Sequence, residues 1–411
     1  MERVILHCDM DNFYASVECK LNPKLRTKYV AVCGNSAERH GIVLAKNQRA
    51  KQCGVRTGDP IWKARLSCPK LVVVQPHFDE YVKYSRLAKE IYYRFTDQVE
   101  PFGLDECWLD VSGSVKMFGS GENMAQMIRR LIRRELGLTV SVGVAFNKIF
   151  AKLGSDLNKP DGMSVITREH FKEQLFPLPA SALLGVGKSV EKQLEGMGIH
   201  TIGQLAETPL KYLQYKLGVI GVTLWRYANG LDNSRVLLYE EHLPIQSISH
   251  GITTTADLEN NREVWTVILE LTQSVGEKLR KNGLLAGGVQ IDIRDRTLRN
   301  MTCQERLPSP QQGTMAIARA AYRLFCRRYA WTQPVRAISV RAISLTAAAM
   351  PQQMNLFTDE RETEKMKKVD RAVDAIRRRF GRRSLQNAVL LSDHKMPEEK
   401  PTVLPSSFSA R

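Results

Sequence analysis

The sequence predicts an α+β chain made of several domains. Three observations predict it: the order of apolar runs in residues 1–165, a glycine-punctuated set of short helical patterns after them, and a second alternation of helical and strand-like runs from 243 onward. At 411 residues the chain is long enough for roughly two to four domains with real cores.

Val4–Cys8 is a short apolar run and predicts the first strand. Tyr84, Leu87, Ile91 and Phe95 recur at helical spacing, which predicts a helix over 81–95. Two short strands flank Gly103–Glu106, and a helix is expected over Asn123–Leu136. The β-branched run Thr139–Ala145 is the last strand. The order βαββαβ is the ferredoxin-like arrangement. The insertion of about seventy residues between the first strand and first helix is too long for a loop and predicts a small subdomain at about 11–75. In LLGVGKSVEKQLEGMGIHTIGQLAE, short helical patterns flank Gly185–Gly187, and Gly196 and Gly198 break the chain again. Helical patterns at Arg262–Lys281 and Thr314–Tyr329 alternate with strand-like runs at Gly288–Arg294 and Val335–Ser344. The pattern changes divide the chain at 1–165, 166–233, a linker at 234–242, 243–348 and a tail at 349–411.

Charge narrows the class of partner. Sixty Lys and Arg against 43 Asp and Glu leave a net +17, which points to a polyanion: nucleic acid first, an anionic membrane surface second. The excess is +7 in 1–165, zero in 166–242, +6 in 243–348 and +4 in 349–411. No run of 18 apolar residues occurs, and MERVILHCDMD lacks the pattern of a secretory signal. The eight cysteines form no CxxC or zinc spacing. A cytoplasmic protein with reduced thiols and no membrane attachment is expected.

Asp9 sits where the first strand ends, and Asp105 and Glu106 sit at the junction of two short strands. Carboxylates gathered from two strand ends suit hard divalent cations, and two such ions about 4 Å apart stabilise a phosphoryl transfer. Adjacent residues on a regular strand face opposite sides, so Asp105 and Glu106 share a site only if the chain turns there, as Gly103 would allow. Solvated acidic residues in a loop are the plainer alternative.

DMDNFYASVE (9–18), LDECWLDVSG (104–113) and VGVAFNKIFAKLGSDLNKPDG (142–162), in this order, closely resemble the bacterial Y-family translesion DNA polymerases, the group of polymerase IV and the catalytic subunit of polymerase V. The likeness covers roughly 1–345. It implies a ferredoxin-like palm at 1–165 with fingers inserted at about 11–75, a helical helix-hairpin-helix thumb, and an α+β little finger at 243–348. It also implies that Asp9, Asp105, Glu106 and the carbonyl of Met10 bind two Mg²⁺ ions. Tyr14 matches the aromatic gate under the sugar, and Lys159 a lysine that meets the triphosphate. Pro160 ends the helix begun near Asn147 and leaves Lys159 at an exposed terminus.

One departure stands out. Where the family shows a Tyr and an Arg on the triphosphate, this chain has Gln48 and Lys51, losing the planar fork that grips phosphate bidentately. The form NxxAKxxGVxxGDP is nearer the polymerase V side. GVGK, with Gly185, Gly187 and Lys188, resembles a helix-hairpin-helix whose backbone meets a DNA phosphate. Arg294, Arg296, Arg299, Arg336 and Arg341 lie on or beside strand-like runs, and Arg294 and Arg296 are expected on one sheet face as DNA contacts.

Gln353–Phe357 (QMNLF, with Gln353, Met354, Leu356 and Phe357 as anchors) resembles the pentapeptide that binds the replicative sliding clamp. Met366, Val369, Val373, Ile376 and Phe380 form one apolar stripe, expected to dock on its own chain.

The implied activity is template-directed, low-fidelity DNA synthesis by a monomer on primer-template DNA with deoxynucleoside triphosphates, aided by the clamp and SOS accessory proteins. The rival readings are a two-metal nuclease and a non-catalytic basic DNA-binding repair accessory protein.

Overall fold

All six residues of β1 (Ile5–Met10) are buried, without the alternation of a strand that faces water, because the sheet it centres is covered on both sides. The computed structural model describes residues 3–34, 41–239, 241, 244–350, 360–391 and 395–396. They fall into two units that meet in sequence at 243/244.

In the first unit, β2 (Tyr29–Cys33), β3 (Val43–Lys46) and β4 (Leu71–Val74) form a three-stranded sheet of order β3-β2-β4. The strands β5 (Val99–Pro101), β6 (Glu106–Asp110), β7 (Val140–Ala145) and β8 (Met163–Ile166) join β1 in the order β5-β6-β1-β7-β8. The neighbours from β5 to β7 are antiparallel. With Phe78–Tyr93 and Gly121–Leu131 as crossover helices, this is the βαββαβ order read from the sequence. The helix Lys148–Leu157 then leads to β8, which lies parallel to β7. That fifth strand was not anticipated.

Side-chain alternation along β1 divides two cores. Leu6, Cys8 and Met10 pack with Phe13, Tyr92 and Ile128. Ile5 and Trp108 pack on the other side with Phe146, Phe150, Leu183, Leu205 and Leu224. Each such large side chain contributes about 2 kcal/mol on burial. The helices Lys188–Glu195, Ile202–Glu207, Leu210–Leu217 and Val219–Ala228 of the helical segment thus share a core with the sheet and lie in the same unit. The three-stranded sheet has its own core of Ala31, Val43, Val55 and Ile61. The helix Phe13–Leu21 belongs instead to the main sheet's core, so the inserted body starts after that helix and not at 11.

The stretch read as a linker from 234 is packed where it is described. Lys148 Nζ lies 2.6 Å from Glu100 Oε2, with both side chains nearly buried. The same carboxylate accepts from Leu237 N at 3.1 Å, and Val236 is buried. Mixed charge masked a segment held through its backbone: Arg235 O also accepts from Lys148 Nζ at 3.4 Å, and Tyr239 N donates to Asp97 O at 3.0 Å.

In the second unit, β9 (Ile248–Leu258), β10 (Leu284–Asp295), β11 (Asn300–Gln311) and β12 (Val335–Ala347) form an antiparallel sheet of order β11-β10-β12-β9. The helices Asn261–Lys281 and Thr314–Arg328 cover one face, where Leu271, Ile317 and Phe325 meet Ile291, Ile338 and Val340.

The helix Glu360–Phe380 reverses an expectation. It docks by its polar side: Arg280 meets Asp374 at 2.5 and 2.9 Å, and Asp370 accepts from Thr314 N at 3.2 Å. Of the stripe, Met366, Val369, Ile376 and Phe380 stay 36–65% exposed, and Val373 alone is half-buried. A charged Arg already fixed by Gln312 and Thr314 selected the acidic side of the helix. Gln353, Met354, Leu356 and Phe357 lie outside the described residues. No described helix is long and apolar enough to cross a membrane.

Removing one member of a buried ion pair strands the other charge. Lys148→Met is therefore expected to destabilise the first unit by about 3 kcal/mol. Adding Glu100→Leu should restore much of that loss, as read by urea unfolding of the single and double variants.

Candidate active site

The antiparallel register sets Asp9 of β1 directly opposite Glu106 of β6. Like charges in that position repel and destabilise a sheet, so their neighbours decide what the pair is for. Asp105 joins them because β6 begins only at Glu106. Gly103, with φ +101, opens a bend before the strand, and Asp105 O accepts from Met10 N at 3.0 Å. The turn that the sequence required is present.

His7 stands two residues before Asp9 and so faces the same side of β1. Its Nδ1 lies 2.8 Å from Ser155 Oγ and its Nε2 3.2 Å from Glu106 Oε2. The helix Lys148–Leu157, capped by Asn147 Oδ1 on Phe150 N at 2.8 Å, lays Lys152 and Ser155 over this face. Lys152 Nζ lies 3.1 Å from Asp9 and 2.8 Å from Glu106. Just past the helix end, Lys159 Nζ reaches Asp9 and Asp156, both at 2.6 Å.

These contacts push the carboxyls apart in acidity. Burial, with the charges of Asp9 and Glu106, raises Asp105 to about 7. Burial opposes ionisation of Glu106 too, but adjacent His7 and the Lys152 charge outweigh it and hold Glu106 at about 2. Burial also depresses His7 and keeps it neutral. Lys152 and Lys159 are raised: the carboxylates overcome the cost of burying them.

Glu106 Oε2 is buried without a well-aligned hydrogen-bond donor despite its close neighbours. One ligand atom each from His7, Asp9 and Glu106 lies within 4.8 Å of the others. An under-satisfied carboxylate oxygen among mutually repelling carboxyls, with Asp105 on the same pocket wall, fits a hard divalent cation.

The pocket, about 500 Å³, is lined by Asp9, Met10, Asp105, Glu106, Tyr14 and Lys159, six residues singled out from the sequence. Tyr14 stacks on Tyr81 with centroids 4.3 Å apart and planes 9° apart, and Phe78 meets its edge at 5.9 Å. Tyr81 in turn donates to buried Glu18, which also meets His77 Nδ1 at 2.9 Å. The ring is therefore held rather than loosely exposed.

Gln48 and Lys51 do not line the pocket. Lys46 and Thr57 do, with Lys152 and Asp156. Sequence reading passed over all four. The helical spacing of Lys152 and Asp156 with Lys159 was the available signal for two of them.

Further along the first unit, Gly185 (φ +95) and Gly187 form an exposed turn into Lys188, anchored by buried Leu183 and Val186. In the second unit, Arg294 and Arg341 line an open groove on the uncovered sheet face with Thr253, Asn300 and Ser339. Arg296 does not join Arg294 there. β10 ends at Asp295, and Arg296 and Arg299 lie in the turn that follows. Arg336 is also outside the groove; the register shift between Val335 and Ala337 breaks the strand's alternation beside it.

An open pocket that crowds lysines against carboxylates is suited to a substrate that is itself a polyanion brought in with cations. The fold and site thus define an enzyme of phosphoryl transfer. Residues 8–156 match the impB/mucB/samB family, 245–356 match that family's C-terminal domain, and 181–232 match the thumb domain described for DNA polymerase-iota. A protein named DNA polymerase IV from Acetivibrio thermocellus is 48% identical over 393 residues, covering 96% of this chain and 98% of its own. One of the same name from Moorella thermoacetica is 36% identical over 391 residues, covering 94% and 96%. The solved structure of a Y-family DNA polymerase chimera shares the fold, with a TM-score of 0.73 at 24% identity over 84% of this chain and 99% of that one. The chain belongs to the impB/mucB/samB family, the Y-family DNA polymerases. These relatives carry the polymerase IV name, although the motif around Gln48 and Lys51 looked nearer polymerase V.

In chelator, Asp105→Asn removes one of three mutually repelling carboxyls and is expected to raise the melting temperature by a few degrees. Magnesium should raise the wild-type melting temperature and leave that of the variant nearly unmoved. A melting curve lowered by the substitution would assign Asp105 a structural role.

Proposed function

We propose that the chain is a template-directed, low-fidelity DNA polymerase for translesion synthesis, joining a deoxynucleotide to a primer 3′-hydroxyl with release of pyrophosphate. The observation that carries this reading is the convergence in one pocket of Asp9, Asp105 and Glu106, a stacked Tyr14 and the half-buried Lys159.

Asp9, Asp105, Glu106 and the Met10 carbonyl would hold two magnesium ions, which when bound would lower the pKa of the primer hydroxyl and offset charge on the phosphates. The chain's own groups do the positioning. Neutral His7 and charged Lys152 hold Glu106 ionised. Lys159 lines the pocket, where it would meet triphosphate oxygens. Tyr14, backed by Tyr81 and Glu18, closes the space beneath the sugar to a 2′-hydroxyl.

The Gly185–Lys188 turn offers backbone N–H groups to a DNA phosphate, and Arg294 and Arg341 offer charge on the second unit. Arg296, Arg299 and Arg336 are weaker candidates for that contact because they lie off the groove. Such contacts grip the backbone without reading bases and weaken steeply with salt. Gln353–Phe357 is proposed to engage the sliding clamp, with SOS accessory proteins as further partners of a monomeric enzyme. Cytoplasmic residence is supported by eight cysteines that are all free thiols.

A two-metal nuclease would use similar carboxylates but has no use for a tyrosine stacked under the sugar. Primer extension with Mg²⁺ and deoxynucleotides separates the two: extension is expected, and cleavage without extension would overturn the assignment. Asp105→Ala should lower extension by roughly a thousandfold or more, with DNA binding in a gel-shift assay retained. Tyr14→Ala should raise ribonucleotide incorporation by roughly tenfold or more, and an unchanged sugar preference would remove Tyr14 from the gate.

A further inference from the structure

The charges that line the pocket are unequally matched. Four lining carboxylates face three lining lysines. Lys152 is engaged by Asp9, Glu106 and Asp156, and Lys159 by Asp9 and Asp156. Lys46 differs from both. Among the described residues its Nζ has one hydrogen-bond partner, the hydroxyl of Thr57 at 2.9 Å, and no carboxylate at ion-pair distance. Thr57 lines the same pocket.

The backbone explains why Lys46 is there while Gln48 and Lys51 are not. β3 ends at Lys46. Asn47 then turns the chain: its side-chain oxygen accepts from Ala50 N at 3.0 Å and Val30 N at 3.1 Å, and its amide donates to Lys28 O at 2.8 Å. The short helix Gln48–Gln52 that follows leaves Lys51 exposed and off the pocket wall. The turn bearing Thr57 is fixed as well, since Asp59 accepts from Arg56 N at 2.9 Å and Val43 exchanges backbone bonds with Gly58 and Asp59.

We propose that Lys46, with Thr57, binds the terminal phosphates of the incoming deoxynucleoside triphosphate, and so takes over the work that a Tyr and Arg at positions 48 and 51 would do. The inference rests on the polymerase reading above. The reacting α-phosphorus belongs with the carboxylates, so the terminal phosphates need a cation that those carboxylates do not already hold. Lys46 is that cation, and the Thr57 hydroxyl is a ready second donor. Burial and nearby Lys51 lower the Lys46 pKa, against the weaker opposing charge of Asp59. An ammonium is a point charge without the fork of a guanidinium, so this grip tolerates shifts in phosphate position better than a bidentate one.

Two measurements test the proposal. With wild-type protein shown to extend a primer, steady-state kinetics of Lys46→Ala should give a KM for the deoxynucleotide raised about tenfold, the worth of one charge-assisted hydrogen bond, while kcat and primer-template affinity change little. Thr57→Val should show a smaller rise of the same kind, and Lys46→Arg should recover part of the loss. On a dideoxy-terminated primer, wild-type protein should bind the next triphosphate more tightly than the corresponding diphosphate. Lys46→Ala should shrink that preference by roughly the same factor. An unchanged KM and an unchanged triphosphate-to-diphosphate ratio would overturn the assignment, as would a larger effect of Lys51→Ala than of Lys46→Ala. A wild-type protein that extends no primer would instead sink the polymerase reading, so the two failures are distinguishable.

Discussion

The opposition of Asp9 and Glu106 across β1 and β6, with Asp105 folded in beside them, is the constraint on which the first unit depends. Three carboxyls brought together in a half-buried place repel one another, and the surrounding fold is arranged to make that tolerable. The helix Lys148–Leu157 covers the face with Lys152, the segment beyond it returns Lys159, and His7 leans on Glu106 from beneath. The same sheet supplies rigidity, because its central strand is buried along its whole length. Carboxylates built on strands rather than loops are held within small tolerances.

The supports of that helix extend further than its own side chains. Trp108, on the same face as Glu106, donates to the Lys148 carbonyl at 2.9 Å, and Lys148 is paired to Glu100 on β5. Glu100 also holds the Leu237 backbone. The carboxylate face, the helix over it and the chain leaving the helical segment are thus joined by one set of polar contacts inside a shared apolar core. This is the physical reason that the helical segment does not separate from the sheet as a unit of its own. A second set, from Glu18 through Tyr81 to Tyr14, fixes the aromatic side of the pocket in the same manner.

In the second unit, one sheet face is committed to helices and the other presents a groove with Arg294 and Arg341. The division follows from strand alternation: Ile291 and Ile293 go inward, and Asp292 and Arg294 go outward. Polar groups on the open face, including Thr253, Asn300 and Ser339, accompany the arginines, which suits contact with a backbone of phosphates more than with bases. The tail helix obeys a different rule. Partly buried Arg280 required carboxylate partners, and Asp370 and Asp374 met that need at the expense of covering the apolar stripe.

Much of this was legible in the sequence, and for definite reasons. Apolar period and turn residues determined the βαββαβ order, and strand-end placement determined which carboxylates meet, because both depend on local geometry that the chain carries everywhere. Tertiary structure alone decided which of several nearby polar side chains faces the pocket. Lys46, Gln48 and Lys51 lie within six residues, and their directions depend on where β3 stops and Asn47 turns the chain. The same holds for Arg294 against Arg296, separated by the end of β10, and for the polar side by which the tail helix docks. Side-chain direction changes with a single residue of strand length, and hydrogen bonds from residues distant in sequence set that length.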